Sequence, residues 1–249
     1  MNGRTIDGVT HDAFLGGAVT VVQPETGYRA GLDAVLLAAS LRAVDGETLA
    51  EAGTGSGAAL LCAARRLGGV RFQGFERDPS MAALANDGVG LNAMGDRVKA
   101  DVADIGVRAA ALENAFDQAF ANPPYFEPGS IRPPGPGRAS AYVADTPLKA
   151  WILFLLHVTR AGGRITLIHR AAALADLLEL LAPRAGEIEV LPVRPAPGRP
   201  ASRVLVAARK GLRRGPATLY EGLTLHEAWG GQLTQRAADA LAGSALEWR

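Results

Sequence analysis

The tetrapeptide Asn122-Pro123-Pro124-Tyr125 has the residue types best suited to chemistry in this chain. It follows a short apolar run with aromatics, residues 116–121, which predicts a buried strand. Two consecutive prolines prevent further ladder pairing and stiffen the backbone, so the strand must end there. The turn therefore holds an amide, a carbonyl and an aromatic ring at the carboxyl end of a strand, where open α/β sheets bind ligands.

A turn of this kind suits the binding of a planar nitrogen group. The nitrogen of a ring-conjugated amino group or of a carboxamide is a poor nucleophile because its lone pair is delocalised. The Asn122 side-chain oxygen and the Pro123 carbonyl can accept hydrogen bonds from its two N–H groups. They thereby favour a more pyramidal, more nucleophilic nitrogen. Tyr125 can stack on the flat face of the group. The alternative is a turn that only ends a strand, with Asn122 as an ordinary turn residue.

A second candidate is a glycine loop between a predicted strand at 48–51 and a predicted helix at 58–67. Its glycines alternate along the chain: Gly53, Gly55 and Gly57. Such spacing allows a tight turn and a close approach of the backbone to a ligand. The pattern GxGxG differs from the dinucleotide pattern GxGxxG, and Glu51 lies two places before the first glycine. A carboxylate there suits a cationic ligand better than a pyrophosphate.

Acidic residues accompany the next two predicted strands. Glu76 follows the strand at 70–75, about twenty residues after the glycine loop, where an acidic side chain can bind ribose hydroxyls. Asp101 ends the strand at 98–102, near the place expected for an adenine ring. For Asp101 and Asp104, capping of a turn or helix is an equal alternative.

Hydrophobic periodicity predicts the remaining elements. These are a hairpin or edge strand within residues 1–22, helices at 32–42, 148–158, 171–181 and 234–241, a helix beginning at Pro79, and strands at 164–169, 187–193 and 203–208. The last two strands predict an antiparallel hairpin at one sheet edge. We find no internal repeat and no separating linker, so we expect one folded domain over residues 1–249.

Three polar positions carry open interpretations. Arg29 and Asp33 lie four residues apart and can form a surface ion pair across one helical turn or face a cofactor. His169 ends the strand that follows the predicted Gly162-Gly163 turn, and we interpret it as a satisfied strand-end histidine rather than a catalyst.

Composition bounds the class of protein. The chain has 249 residues, 20% of them charged, which is ordinary for a globular domain. One cysteine excludes an internal disulfide, and no Cys/His cluster has metal-ligand spacing. We find no signal peptide, and the longest apolar stretch is too short to span a bilayer. We therefore expect a cytoplasmic monomer that binds neither a metal nor a membrane.

The charge is unevenly distributed. Residues 1–130 carry 10 basic against 16 acidic residues, whereas residues 131–249 carry 16 against 9. Seven basic residues and no acidic residue lie between Arg194 and Arg214. Such a segment can neutralise phosphates, although a solvated arginine-rich surface is the alternative. The Pro/Gly-rich stretch at 126–138 predicts a loop that is either disordered or a flap over substrate.

Taken together, the motifs resemble those of a known superfamily. The glycine loop preceded by Glu51, the acidic Glu76 and the turn at 122–125 occur in the order and spacing of class I S-adenosylmethionine-dependent methyltransferases. The turn resembles that of the branch that modifies amino groups. Residues 23–37 and 223–234 resemble the bacterial tRNA(1)(Val) adenine-N6 methyltransferase family, which modifies the adenine at tRNA position 37. Two departures are Glu51, where many members carry Asp, and the long loop after Phe126.

The resemblance implies an α/β fold of the class I methyltransferase (Rossmann-like) type, with a doubly wound, mostly parallel seven-stranded sheet and an antiparallel edge hairpin. Residues 1–45 would form an N-terminal extension and 46–249 the catalytic core. The implied reaction is direct in-line transfer of a methyl group from S-adenosyl-L-methionine to the N6 amino group of an adenine in tRNA. It needs no covalent intermediate, and no obvious general base appears in the sequence. An adenine within an RNA stem or loop would have to be unstacked into the site.

The motifs and the resemblance together give the candidate site residues. The candidate catalytic residues are Asn122, Pro123, Pro124 and Tyr125. The candidate cofactor-binding residues are Arg29, Asp33, Glu51, Gly53, Thr54, Gly55, Gly57, Glu76, Arg77, Asp101 and Asn122. The candidate RNA-binding residues are Phe126, Arg138, Arg194, Arg199 and Arg203.

Three other functions fit part of the sequence. A protein glutamine-N5 methyltransferase would bind a carboxamide at the same turn, but that family usually has a helical domain before the glycine loop, and only about fifty residues precede it here. The basic segment also favours RNA. A non-catalytic module that binds RNA and S-adenosyl-L-methionine is a second alternative. A nicotinamide-dependent enzyme is disfavoured by the GxGxG spacing and by the turn at 122–125.

Overall fold

The computed structural model describes residues 8–27, 29–125 and 146–249. Phe126, Arg138 and the Pro/Gly-rich stretch between them lie outside these ranges. Their predicted contacts with RNA and the predicted substrate flap therefore stay predictions.

Strands and helices alternate along most of the chain. In chain order they are β1 (Val9–Phe14), β2 (Val19–Pro24), α1 (Leu32–Ser40), β3 (Thr48–Ala52), α2 (Ala58–Arg66), β4 (Arg71–Glu76), α3 (Pro79–Leu91), β5 (Val98–Val102), β6 (Phe116–Ala121), α4 (Leu148–Val158), β7 (Thr159–Arg170), α5 (Leu174–Leu181), β8 (Ala185–Arg194), β9 (Arg203–Lys210), β10 (Thr218–Leu219), β11 (Leu223–Thr224) and α6 (Gln235–Leu241). The helices and most long strands lie near the positions that hydrophobic periodicity predicted, whereas β7 begins earlier.

One sheet organises these elements in the order β5-β4-β3-β6-β7-β9-β8-β10, and β11 also pairs with β8. Strands β3 to β7 are mutually parallel, and β9 is antiparallel to both β7 and β8. The seven strands from β5 to β8 form the predicted doubly wound sheet with its antiparallel hairpin. The two-residue strands β10 and β11 add to that hairpin and cover the outer side of β8.

The strand order reverses between β3 and β6, the position at which sheets of this type bind ligands. Strands β3, β4, β6, β7 and β8 all end on one side of the sheet, which we call the carboxyl edge. Because β9 runs the other way, its first residue, Arg203, lies at this edge and its last residues lie at the opposite one.

Two apolar clusters cover the two faces of the sheet. One cluster contains α1, α2, α6 and the β1–β2 hairpin, and the other contains α4 and α5. Successive residues of a strand point to opposite faces, so Leu49 belongs to the first cluster and Ala50 to the second. The proposed division at residue 45 stays a prediction, although Leu15 and Val19 of the hairpin share a cluster with α1 and α2.

The predicted turn at Gly162-Gly163 is instead a bulge inside β7. Phe116 pairs with Thr159 and Gln118 pairs with Arg164, so the four residues 160–163 lie opposite the single residue Asp117. Glycine permits this, because Gly162 has a φ of +71° and a Cβ on Gly163 would lie 2.3 Å from the Asp117 carbonyl oxygen. The strand therefore begins directly after α4, earlier than predicted.

No described helix crosses a membrane: within residues 8–27, 29–125 and 146–249 each is too short or too polar to do so.

The loop after β3 packs against a tryptophan, which yields a stability prediction. Gly53 has a φ of +64°, and a Cβ added to it would lie 2.2 Å from Cη2 of Trp151. Gly46 also has a positive φ, +90°, but its Cβ would meet nothing within 4 Å. We expect Gly46→Ala to cost about 1–2 kcal/mol of unfolding free energy through backbone strain alone. Gly53→Ala should cost about 1–3 kcal/mol more because it also overpacks the Trp151 ring.

Urea unfolding of both variants measures this difference. Equal losses in the two variants would show that the Trp151 ring moves aside freely and does not support the loop.

Candidate active site

The turn at residues 122–125, which we call the proline corner, lies beside the glycine loop. Ala121, the last residue of β6, pairs with Ala52, the last residue of β3. Asn122 and Gly53 therefore leave adjacent strands at the carboxyl edge, where strand spacing is about 4.8 Å. Positions about seventy residues apart in the sequence are in this way brought together.

The Asn122 carboxamide is available to a ligand. The residue is partly buried and Pro123 is buried. Among the described residues, no group forms a hydrogen bond with the Asn122 side chain. Its side-chain oxygen and nitrogen are not among the buried polar atoms that lack a partner, so they remain accessible, and this amide is a candidate contact for a bound molecule.

Tyr125 is fixed by a network of side chains from three other elements. Its hydroxyl donates a hydrogen bond of 2.7 Å to Oδ2 of Asp33, in the first turn of α1. Oδ1 of Asp33 forms an ion pair with Nε of Arg203, the first residue of β9. The Tyr125 ring packs edge-on against His169 near the end of β7, with ring centroids 5.0 Å apart. The ring is therefore held at a defined place on the carboxyl edge.

His169 packs against the Tyr125 ring and limits where that ring can lie. It is 5% exposed, and burial lowers its pKa, which keeps the imidazole neutral at pH 7. Its interpretation as a non-catalytic histidine stays a prediction, but the sequence analysis missed its contact with Tyr125. The strand-end position was the available signal, since β6 and β7 end side by side.

Arg29 and Asp33 do not pair with each other. Because α1 begins at Leu32, Arg29 lies outside the helix and the four-residue spacing does not place it one turn from Asp33. Arg29 instead binds the β1–β2 hairpin, through an ion pair of 2.5 Å with Asp12 and a hydrogen bond of 2.8 Å to the Pro24 carbonyl. The predicted pair is therefore wrong, and each residue's predicted contact with a cofactor stays a prediction.

The glycine loop has the backbone conformation that its sequence indicates. Gly53, Gly55 and Gly57 have φ values of +64°, +56° and +84°. The amides of Gly53 and Thr54 donate to the Phe75 carbonyl at 2.8 and 3.1 Å, which bends the loop over the end of β4. The amide of Gly55 donates to Oε2 of Glu76 at 2.9 Å.

Glu76 is held rigidly beside this loop. Its second oxygen, Oε1, accepts a hydrogen bond of 2.9 Å from the Asp78 amide. Arg77 follows directly and is partly buried. Asp78 itself caps α3 by accepting from the Ser80 amide at 2.9 Å, as predicted. The structure thus brings Glu76 and the glycine loop together, which fits the predicted ribose contact.

Glu51 lies beneath the loop rather than on its surface. It is 2% exposed, and its carboxyl accepts hydrogen bonds from the Thr54 hydroxyl and from the Leu60 backbone. Burial raises its pKa to about 8, against an ordinary value of 4.5. The expected ligand-facing carboxylate is therefore a mostly neutral acid at pH 7 that holds the loop from below.

The two aspartates after β4 have different partners. Asp101 accepts from Nε2 of Gln73 at 2.5 Å and pairs with Lys99 at 2.9 Å, and its side chain remains 42% exposed. Asp104 accepts from the Gly106 amide at 2.7 Å, which is the capping alternative. Of these two aspartates, Asp101 is the one whose partly exposed carboxylate is proposed to contact a ligand.

The basic segment from Arg194 to Arg214 is not one surface. Arg203 and Arg209 are separated by six residues of extended strand, about 20 Å, because β9 crosses the sheet. Arg203 forms an ion pair with Asp33 at the carboxyl edge. The Arg209 side chain instead donates a hydrogen bond to the Gly162 carbonyl at the opposite edge. Only the part from Arg194 to Arg203 lies at the carboxyl edge.

Within that part, the predicted RNA-binding arginines have partners of their own. Arg194 donates to the Glu221 carbonyl at 2.6 Å. The Arg199 guanidinium lies 4.9 Å from the centre of the Trp229 ring. Trp229 was not among the candidate residues, and its sequence surroundings gave no periodic signal that would have identified it.

No metal site is visible in residues 8–27, 29–125 and 146–249, where no three His, Cys, Asp or Glu side chains are grouped closely enough to hold an ion.

Comparison with known proteins agrees with the motifs. No family model matches the chain. It is 28% identical over 200 residues to the tRNA1(Val) (adenine(37)-N6)-methyltransferase of Actinobacillus succinogenes, covering 80% of this chain and 83% of that protein. The chain is therefore similar over most of its length to an enzyme of the family that its motifs resemble. The predicted resemblance is therefore confirmed.

Solved structures agree on the fold. A protein of Agrobacterium tumefaciens, described as a predicted O-methyltransferase, superimposes with a TM-score of 0.73 at 29% identity, covering 87% of this chain and 99% of that one. The TYW2 protein of P. horikoshii, solved in complex with MeSAdo, superimposes with a TM-score of 0.58 at 16% identity, covering 83% and 73%. The predicted class I methyltransferase fold is confirmed.

The buried acid under the loop predicts a pH dependence of stability. Between pH 4.5 and about 8 the folded chain holds a proton on Glu51 that the unfolded chain has lost. The stabilisation from this proton is complete below pH 4.5 and is lost as the pH rises through about 8. Between these values the free energy of unfolding falls by about 1.4 kcal/mol per pH unit. Glu51→Gln stays neutral, so the variant should lack this slope.

Urea unfolding at pH 5.5, 6.5 and 7.5 measures the effect, with Glu179→Gln on the exposed side of α5 as the control. A wild-type slope in Glu51→Gln would contradict the assignment of the buried proton to Glu51.

The Tyr125–Asp33 bond predicts energetic coupling between two distant chain segments. We expect Tyr125→Phe and Asp33→Ala each to destabilise the chain, and the double variant to lose about 1 kcal/mol less than the sum of the two. Tyr220→Phe removes a hydroxyl that donates to Glu189 at 2.6 Å, so it is a matched control that should add independently to Asp33→Ala. Simple additivity of Tyr125→Phe and Asp33→Ala would show that the hydrogen bond does not hold the corner.

Proposed function

We propose that this chain transfers the methyl group of S-adenosyl-L-methionine to the N6 amino group of an adenine in tRNA, at position 37 of tRNA1(Val). The observation that carries the proposal is the position of the accessible Asn122 carboxamide, which has no hydrogen-bond partner among the described residues and directly follows the strand adjacent to the glycine loop. The names of the homologous enzymes support the acceptor.

The residues of the carboxyl edge fit this cofactor. Glycines with positive φ allow close backbone approach, and a Cβ on Gly74 would lie 2.8 Å from Thr54, which shows how tightly loop and strand pack. Glu76 lies where it can accept ribose hydroxyls, and the exposed part of Asp101 can accept from an adenine amino group. When bound, the cofactor supplies a methyl group on a positively charged sulfur.

The proline corner would orient the acceptor amino group. The Asn122 side-chain oxygen and the Pro123 carbonyl accept hydrogen bonds from its two N–H groups, while the adenine ring stacks on Tyr125. Since Tyr125 is locked by Asp33 and His169, the acceptor is held in one plane. Such positioning lowers the barrier by keeping the reacting atoms ~3–3.5 Å apart.

No side chain is required as a base. Asp33 is occupied by Tyr125 and Arg203, and His169 is buried against Tyr125. The nitrogen is positively charged once the N–C bond has formed, so it readily loses its proton to water. The corner therefore contributes hydrogen-bond acceptors and orientation, not proton transfer.

We further propose that the protein acts in the cytoplasm as a monomer and without a metal ion. Methyl transfer from a sulfonium needs no Lewis acid, and no RNA-modifying step here calls for a second subunit. Sedimentation of the full chain with and without tRNA tests the monomer.

Substitution of Asn122 tests the reaction. We expect Asn122→Ala to lower kcat more than about 100-fold, because one of the two acceptors is lost at the reacting nitrogen. The Kd for S-adenosyl-L-methionine should change less than threefold. Asn114→Gly is a matched control at the other end of the same strand, at a φ of +57° that glycine adopts freely.

The assay is transfer from methyl-labelled cofactor to total RNA and to total protein, followed by identification of the labelled nucleoside. Label in N6-methyladenosine of tRNA is expected. Label in protein glutamine would identify the alternative acceptor. An Asn122→Ala variant as active as the wild type would show that the proline corner is not the reaction centre.

A further inference from the structure

Trp229 is an exposed tryptophan on a small ordered loop. It is 68% exposed, which is uncommon because tryptophan side chains are on average highly buried. The loop is closed by a bridge between His226 and Leu233 and by a hydrogen bond of 2.9 Å from the Glu227 amide to the Gln232 carbonyl. The chain thus presents an aromatic ring to solvent on a rigid support.

The loop lies at the carboxyl edge. The amide of Leu225 donates to the Arg194 carbonyl at 2.8 Å, and that of His226 donates to the Pro195 carbonyl at 3.2 Å. Arg194 is the last residue of β8, a strand that ends on the same side of the sheet as β6. Trp229 and the proline corner therefore share one edge of the sheet.

Arg199 joins this ring to the network of the corner. Its guanidinium lies 4.9 Å from the Trp229 ring centre, and it belongs to the turn between β8 and β9. That turn leads into Arg203, which pairs with Asp33 and so reaches the Tyr125 hydroxyl through one shared carboxylate. One continuous structure thus connects the exposed ring to the acceptor-binding corner.

We propose that Trp229 and Arg199 form a stacking platform for an unpaired base of the RNA substrate, outside the reaction centre. This inference rests on the proposed function. Aromatic rings bind any base by its flat face, and an arginine beside the ring adds attraction for the neighbouring phosphate. The single acidic neighbour in the loop, Glu227, is exposed and pairs with no arginine among the described residues.

RNA is favoured over a protein partner by the charge of this surface. Arg194 and Arg199 lie at this edge beside Arg203, which is ion-paired with Asp33. A peptide would need a larger apolar patch than one ring. A platform for stacking accepts only bases that are not already paired and stacked. The substrate it selects is therefore a single-stranded or looped segment rather than a duplex.

Steady-state kinetics with tRNA1(Val) transcript tests the platform. We expect Trp229→Ala to raise the KM for tRNA about 5- to 100-fold, the range for losing one stacked base, with kcat at saturating tRNA within twofold. Trp229→Phe should keep KM within about threefold because the aromatic face remains. Arg199→Ala should also raise KM.

The controls remove matched groups far from the carboxyl edge. Val44 is equally exposed at 68% and precedes β3, and Arg71 begins β4, so both lie at the opposite edge. Val44→Ala and Arg71→Ala should leave KM unchanged. Fluorescence adds a second measurement: tRNA should quench the emission of the wild type but much less that of Trp229→Phe, since Trp151 and Trp248 are buried.

The outcomes separate this inference from the proposed function. If the wild type methylates tRNA and Trp229→Ala has an unchanged KM, the platform is wrong while the function stands. If the wild type methylates no RNA, the proposed function fails, and the fluorescence decides the platform alone: loss of quenching in Trp229→Phe supports it, and no quenching overturns it. A change in oligomeric state in Trp229→Ala with unchanged KM would show a contact between copies of the chain and also overturn it.

Discussion

The rest of the site depends on one constraint, the attachment of the proline corner to its surroundings through the Tyr125 hydroxyl. Two prolines stop β6 and stiffen the corner, but they do not fix the direction of the ring. The hydrogen bond to Asp33 does so, and the pairing of Asp33 with Arg203 fixes the carboxylate in turn. Helix α1 and strands β6 and β9, which are far apart in the chain, are thereby joined at a single carboxyl group.

The part of the carboxyl edge that contains the glycine loop is stabilised differently. The glycine loop is supported from below by the buried acid Glu51 and by the Trp151 ring, and from the side by Glu76. A neutral acid under the loop satisfies the Thr54 hydroxyl without placing a full negative charge in the core. The carboxylates that remain partly exposed here are those of Glu76 and Asp101, at the ends of the next two strands.

Local patterns allowed most of the fold to be predicted. Apolar periodicity located helix α4 and strands β5 and β6 at their observed bounds, and the turn and glycine motifs indicated the two halves of the candidate site. Parallel pairing then explains why motifs seventy residues apart meet, since Ala52 and Ala121 end adjacent strands. The resemblance supplied the cofactor and the acceptor, which the residue patterns alone left open.

What could not be predicted depends on tertiary partners. The four-residue spacing of Arg29 and Asp33 indicated a pair, but α1 begins at Leu32, so Arg29 lies outside the helix and pairs with Asp12 instead. The basic segment looked continuous in sequence, yet an extended strand carries its two ends to opposite edges of the sheet. A position such as Trp229 has no periodic context, so only the folded chain shows that its ring faces solvent beside Arg199.

A crystal structure of the full chain with S-adenosyl-L-homocysteine and adenosine 5′-monophosphate tests the central claim most directly. The account predicts the adenine N6 within hydrogen-bond distance of both the Asn122 side-chain oxygen and the Pro123 carbonyl, with its ring against Tyr125. An adenine bound elsewhere, with the Asn122 amide turned away from the glycine loop, would contradict it.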